Sequence, residues 1–234
     1  MVPAGQYKLG GLMKPTETLA RETTPEGDEL VLARRDGVYY LRVDGKELMT
    51  SRVHGSEEAL SSLALKALGK RQAPRVLVGG LGFGYTLRAA LDHLPPDASV
   101  VVGEIFPSLL KWNRDVLGDL AGRPLDDRRV EVVLGDVRDL LDGRRRFDAV
   151  LLDVDNGAEA LTLRSNAGLY TPAGLERLGR SLTEGGVAAF WASFPAPAFE
   201  QRLRRAGFEA WTERVPDRAG GKRKNHVIFL ARRR

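Results

Sequence analysis

The stretch Leu77–Thr86, LVGGLGFGYT, decides how this chain is read. A short apolar run, Arg75–Val78, leads into Gly79, Gly80, Gly82 and Gly84, and a helix-like pattern follows from Leu87. Glycine accepts positive φ and has no Cβ, so glycines between a strand and a helix permit a sharp turn and a close approach to the backbone. Two phosphate-binding patterns fail. G-x-G-x-x-G, started at Gly80, needs a third glycine where Tyr85 stands. The G-x-x-x-x-G-K-[ST] loop lacks its lysine and hydroxyl residue. What fits is G-x-G-x-G at Gly80, Gly82 and Gly84, a bend that leaves a backbone surface for a nucleoside and its short tail.

Outward from the bend, strands and helices alternate. RVLVGG (75–80) is the first parallel strand, and its helix runs from Leu87 to Leu94 before Pro95-Pro96. SVVVGEI (99–105) is the second strand, with a helix from Pro107 to Leu117. RVEVVLGD (129–136) is the third, with a short helix after it, and FDAVLLDV (147–154) is the fourth. Thr171-Pro172 opens a further helix, with Thr as the cap and Pro at the first position. GGVAAFWA (185–192) is the fifth strand, followed by a helix from Pro197 to Ala206. FEAWTERV (208–215) and HVIFLARR (226–233) close the chain as a hairpin with one antiparallel strand. Such alternation predicts a mostly parallel sheet covered on both faces.

Upstream, residues 29–50 carry two hairpin-turn dipeptides, Asp36-Gly37 and Asp44-Gly45, and predict a small antiparallel meander. SEEALSSLALKALG (56–69) reads as a helix capped by Ser56 and closed by Gly69. Residues 1–28 show no periodicity and read as a loose lead-in. The expected domains are an N-terminal β-hairpin unit, residues 1–55, and a Rossmann-like domain, residues 56–234.

Composition excludes several classes. Hydrophobic residues are 43% of 234, enough for a substantial core and against global disorder. The absence of cysteine rules out disulfides, zinc–thiolate sites and cysteine nucleophiles, and suits a reducing cytoplasm. No apolar run approaches the ~20 residues of a membrane span, and MVPAGQYKLGGLMKP lacks a signal-peptide core. The net charge of +5 owes much to Lys222–Lys224 and Arg232–Arg234. No aromatics interleave with these clusters, so they read as a solvated loop and tail, and neither nucleic acid nor a membrane is an expected partner. No His/Asp/Glu set has metal-ligand spacing, so no metal is expected. Of the three histidines, His93 sits at a helix end, His226 begins a strand, and His54 lies where it can approach a substrate pocket.

Acidic residues stand at the ends of three successive strands. Glu104 ends the second, where a carboxylate accepts from a ribose diol. Gly135-Asp136 ends the third, where a carboxylate can accept from the exocyclic amine of adenine. Asp153 ends the fourth, beside the reactive end of a ligand. These residues share the rim at the carboxyl ends of the strands, where open α/β sheets bind ligands.

Glycine bend and acidic rim together resemble the class I S-adenosylmethionine-dependent transferases. More narrowly they resemble the spermidine synthase (polyamine aminopropyltransferase) family. The matching stretches are VLVGGLGFGYTLRAAL, VVVGEIFPSLLKWNR, RVEVVLGDVRDLL, FDAVLLDVDN and LYTPAGLERLGRSLTEGGVAAFW, with a looser match at VDGKELMTSR. The resemblance implies a seven-stranded class I methyltransferase sheet behind an N-terminal hairpin, and a homodimer. It implies that Gly80, Gly82 and Gly84 line the donor, that Glu104 holds its ribose, that Asp136 with Val137 holds adenine, and that Asp153 is the catalytic aspartate. The sequence also departs from the family. Gly82 stands where the family's loop carries an Asp for the amine of the aminopropyl donor. The D-[ST]-[ST]-D-P motif reads Asp153-Val154-Asp155-Asn156-Gly157, and no Tyr-His-Glu follows the hairpin, although Glu57 and Glu58 lie near that place.

Transfer from a sulfonium needs an aligned nucleophile and no metal, because the thioether leaves as a neutral group. An amine substrate arrives protonated and needs a carboxylate to bind it and take its proton. Asp153 is expected in that role, with Asp155 as helper and Asn156 as a neutral hydrogen-bond partner. The loop 157–170 reads as a lid, from which Arg164 and Tyr170 can reach the substrate. Because of Gly82, the first reading is methyl transfer from S-adenosylmethionine to a small amine. The alternative is aminopropyl transfer from decarboxylated S-adenosylmethionine to a di- or polyamine. A third is a donor-binding protein without turnover.

Overall fold

The structure, a computed structural model, describes residues 15–24, 27–154, 164–216 and 225–234. It divides into two compact units, with the changeover between Arg52 and Val53; the sequence puts it between 55 and 56.

The first unit is a four-stranded antiparallel sheet in the order β1 (Glu17–Thr23), β2 (Glu29–Arg35), β3 (Val38–Val43), β4 (Lys46–Thr50). Asp36, Gly37, Asp44 and Gly45 all have positive φ, the geometry a two-residue hairpin turn demands. Leu30, Leu32 and Leu41 supply its buried face. β1 corrects the reading of residues 1–28 as a loose lead-in. Its sequence, ETLARET, has no apolar alternation and stays mostly exposed. The strand is held by its ladder to β2 and by the ion pairs Arg21–Glu29 and Arg34–Glu17, which a search for hydrophobic periodicity does not detect.

In the second unit, α1 (Gly55–Leu68) precedes β5 (Arg75–Gly79), α2 (Tyr85–His93), β6 (Ser99–Glu104), α3 (Pro107–Arg114), β7 (Val130–Leu134), α4 (Val137–Leu140), β8 (Phe147–Leu152), α5 (Pro172–Ser181), β9 (Leu182–Ala192), α6 (Pro197–Arg205), β10 (Phe208–Pro216) and β11 (Asn225–Arg233). Its seven strands run in the order β10-β11-β9-β8-β5-β6-β7, with β11 antiparallel to both neighbours. This is the seven-stranded Rossmann-like sheet expected. Alternate strand residues feed two cores. Leu77, Val101, Val150 and Ala188 face one side with α5 and α6, while Val76, Val100, Ala149 and Val187 face the other with α1 and α2. Burial on both faces is why the strands are apolar throughout rather than alternating.

The caps read from the sequence hold with one exception. Thr171 Oγ1 accepts from the Gly174 amide, and Gly69 closes α1 at φ +73°. The exception is Ser56. The cap position of α1 belongs to His54, and Ser56 lies inside the first turn, where its hydroxyl donates to Glu57 at 2.9 Å. Tyr170 is also reassigned. It is 4% exposed at the end of a 3₁₀ segment (Arg164–Tyr170), edge-on to Phe199 at 5.3 Å, so its ring packs in the core. The remainder of the expected lid, 157–163, lies outside the described residues.

Candidate functional site

β5 and β8 lie side by side at the point where the strand order reverses, the position at whose carboxyl ends open α/β sheets bind ligands. Ladder bonds continue past the strands and tie their tips together: Gly80 N to Gly103 O at 2.8 Å, Asp153 N to Gly79 O at 2.9 Å, and Gly135 N to Glu104 O at 2.8 Å. Gly80, Glu104, Gly135-Asp136 and Asp153 therefore occupy one rim.

The glycines of the bend have backbone reasons to be glycine. Gly80 has φ +87°, and a Cβ there would lie 2.5 Å from the Asp153 carbonyl oxygen. Gly84 caps α2 at φ +87°, and a Cβ there would lie 3.1 Å from Pro124 Cγ and 3.3 Å from Asn113 Oδ1. Gly82, at φ +51°, accepts through its carbonyl from Asn113 Nδ2 at 2.8 Å. Asn113 is 2% exposed and also holds Leu109 O at 2.9 Å, so it clamps the bend to α3. No motif of the sequence singled it out.

Glu104 is 3% exposed. Its Oε2 accepts from Leu81 N at 2.9 Å and its Oε1 from Phe106 N at 2.7 Å, so it braces the glycine bend against the turn after β6. Burial pushes its carboxyl above the usual range, against the pull of these amides. Each oxygen keeps a second lone pair, so bracing and diol binding are compatible. Asp136 caps α4, with Oδ1 accepting from Arg138 N at 2.8 Å and Oδ2 from Arg138 Nε and Nη2 at 2.8 and 2.5 Å. Burial pushes it up, but the Arg138 bonds outweigh this and hold it below its ordinary value. The Val137 side chain turns inward, 5% exposed, beneath Gly79 and Gly103.

Asp153 follows β8, and its Oδ2 accepts from Thr86 Oγ1, in the first turn of α2, at 2.7 Å. Burial raises its carboxyl and the Thr86 bond opposes the rise. Asp155 and Asn156, its expected helpers, lie outside the described residues. Glu57, which the sequence noted only as lying near the place of the family's Tyr-His-Glu, adds a second carboxyl at this end. It is 8% exposed in the first turn of α1, where burial, then the charge of Asp153, push its carboxyl up to about 8. Tyr85 joins them, pushed up to about 12 by burial and then by Glu57 and Glu58, so its hydroxyl stays protonated. His54 stacks on Tyr85, centroids 4.1 Å apart, and its Nδ1 meets Glu58 at 2.8 Å. The reactive end is thus acidic, and neither Asp153 nor Glu57 has an ion-pair partner among the described residues. Among those residues no group of three or more His, Asp or Glu side chains could hold a metal ion, and no helix is long and apolar enough to cross a membrane.

The sheet order and the antiparallel seventh strand define the class I methyltransferase fold, here preceded by an antiparallel N-terminal sheet. Within that class the chain has the fold of spermidine synthases. A spermidine synthase in complex with the transition state analogue AdoDATO matches with a TM-score of 0.72 at 17% identity, over 93% of this chain and 72% of that one. Spermidine synthase from Thermotoga maritima matches with a TM-score of 0.70, also at 17% identity, over 93% of this chain and 72% of its own. No protein-family model matches the chain, and no curated protein matches it in sequence.

Proposed function

We propose that the protein is a transferase that moves the aminopropyl group of decarboxylated S-adenosylmethionine to an amine. The observation that carries this reading is Asp153: a carboxyl at the strand switch point, braced by Thr86, with no described cation paired to it. Such a group binds an ammonium and takes the proton that the amine must lose before it attacks. The amine nitrogen would then form a bond to the aminopropyl carbon as the C–S bond breaks. The sulfur keeps that electron pair and leaves in methylthioadenosine. Gly80, Gly82 and Gly84 would line the donor, Glu104 would take its ribose and Asp136 its adenine. Asp155 and Asn156 would assist Asp153.

The likeness to spermidine synthases favours aminopropyl over methyl transfer, the first reading of the sequence. Charge supports the same choice. S-adenosylmethionine carries a carboxylate on its tail, and the described reactive end already holds Asp153 and Glu57. The decarboxylated donor keeps the ammonium of that tail and lacks the carboxylate. Methyl transfer remains the second reading because Gly82 offers no carboxylate where the aminopropyltransferase pattern has one. Incubation with each donor and a mixed amine pool separates the two. Product heavier by an aminopropyl unit, made only from the decarboxylated donor, supports the first; product heavier by a methylene, made only from the complete donor, supports the second. A protein that binds donor and yields neither product is the donor-binding protein without turnover. The reading includes a cytoplasmic homodimer, for which β1 and β4, the edges of the N-terminal sheet, offer strand pairing. Sedimentation at a single monomer mass would exclude the dimer.

A further inference from the structure

A second cleft lies at the amino end of β5, whereas the glycine bend lies at its carboxyl end. The last turns of α1 and α2 wall it, together with the segment 69–74 that leads into β5. The five residues of β5 separate it from the bend, roughly 15 Å of extended chain. Its volume is about 940 Å³, a size at which proteins hold organic ligands. The floor is apolar. Leu65 and Leu94 are buried there, and Leu63 and Leu68 are half-buried, so part of their surface is left to face an occupant.

The rim carries one sign of full charge. Lys66, Lys70 and Arg71 line it, and among the described residues no aspartate or glutamate does. Lys66 and Lys70 are exposed and enter no ion pair among those residues. Arg71 Nη2 donates to Glu184 O at 3.0 Å, a bond that fixes the guanidinium without neutralising it. A helix C-terminus favours a cation, which by itself would account for one such lysine. Other residues already serve those ends: Arg232 Nη2 donates to Ala67 O at 2.8 Å, and Arg129 Nη1 to Leu94 O at 3.0 Å. Three full positive charges also exceed the roughly half a negative charge at each helix end, so the cleft attracts an anion. An inorganic anion would leave the apolar floor uncovered. A bilayer does not fit either. The large apolar side chains exposed among the described residues are Val116, Leu134 and Phe194, and none of them borders the cleft to project into lipid.

We propose that this cleft binds a single-chain anionic amphiphile, an aliphatic acid whose head is held by Lys66, Lys70 and Arg71 and whose chain lies over Leu63, Leu68 and Leu94. The site stands apart from the donor rim and is independent of the transferase reading.

The test is titration of the full chain with decanoate, followed by calorimetry and by the leucine methyl shifts in NMR. Decanol, decyltrimethylammonium, acetate and phosphatidylglycerol vesicles are the comparisons, with each single-chain amphiphile kept below the concentration at which it aggregates. Decanoate should saturate one site per chain and shift the methyls of Leu63, Leu68 and Leu94. Decanol and decyltrimethylammonium should bind at least about 10-fold more weakly, and acetate not measurably. The double variant Lys66→Glu/Lys70→Glu should weaken decanoate by about 10-fold or more, the scale expected when two exposed charge contacts become repulsions. Lys66→Arg/Lys70→Arg should stay within about 3-fold of wild type. Both lysines are exposed, so thermal melts should show both variants folded. No saturable binding to wild type, decanol binding as well as decanoate, unchanged affinity in the charge-reversed variant, or methyl shifts confined to other leucines would each overturn the assignment. Binding to the vesicles but not to monomeric decanoate would make the cleft a membrane-facing surface and overturn it too.

Discussion

Asp153 and Glu57 differ in what they should do when neutralised. Asp153→Asn keeps the shape but cannot accept the amine proton. Turnover should fall by about 10²–10⁴-fold, the usual range for a positioned general base, with donor affinity nearly unchanged. Single-turnover kinetics beside a donor titration will show it, and equal losses in both would mean that Asp153 serves donor binding or structure. Glu57 offers a stability test that needs no substrate. Its folded carboxyl stands at about 8 against 4.5 in the unfolded chain, so the folded protein binds the extra proton between those values. Stability should therefore fall as pH rises from 4.5 towards 8 and level off above. Glu57→Gln should make this slope shallower, leaving the share of Asp153 and Glu104, whose carboxyls burial also raises, and should raise stability at alkaline pH by on the order of 3 kcal/mol. Denaturant melts across that window will decide. A wild type with no slope there, matched by the variant, would show that Glu57 is not held in a dry, acidic place.

The glycine bend and the caps are the scale at which sequence spoke most clearly. Gly80 and Gly207 both have positive φ, +87° and +93°, but only Gly80 has a carbonyl oxygen 2.5 Å from where a Cβ would be. Gly207→Ala should then cost about 1 kcal/mol, the conformational penalty alone. Gly80→Ala should cost well over ~2 kcal/mol, because the Asp153 backbone must move as well. It should also abolish nucleoside binding, and thermal melts with and without methylthioadenosine check both effects. Thr171→Ala removes the hydroxyl that accepts from Gly174 at 3.1 Å and should cost about 1 kcal/mol, with binding intact. These features were legible because they are local: a turn needs its glycine and a helix its cap, whatever the rest of the chain does. β1 was illegible for a matching reason. Its pairing comes from backbone bonds and ion pairs, and its own residues carry no apolar stripe to announce it.

Across the whole molecule, the strand order brings to one rim residues that the sequence scatters from Gly80 to Asp153, and the alternation of strands and helices was enough to foresee that. The fold, the seven strands and the single antiparallel one could be read because both faces of the sheet are buried and every strand is correspondingly apolar. The other side of the crevice could not be read. Glu57 reaches Asp153 only because α1 folds back across β8, and His54 reaches Tyr85 by the same packing. The sequence placed His54 near a substrate pocket and Glu57 and Glu58 near the family's Tyr-His-Glu, but not their partners Tyr85 and Asp153. Asp136 is engaged by Arg138 for a local reason, a contact at i+2 across a cap that strand-end reasoning does not weigh. Asn113 clamps Gly82 across the gap between α3 and the bend. The central claim is that an adenosyl thioether lies over the glycine bend with its sulfur directed at Asp153. A crystal structure of the full chain with methylthioadenosine tests it most directly. The account predicts adenine beside Gly135-Asp136, ribose hydroxyls on Glu104 and sulfur facing Asp153 and Glu57. Nucleoside bound elsewhere, or a crevice closed by its own side chains at saturating nucleoside, would contradict it.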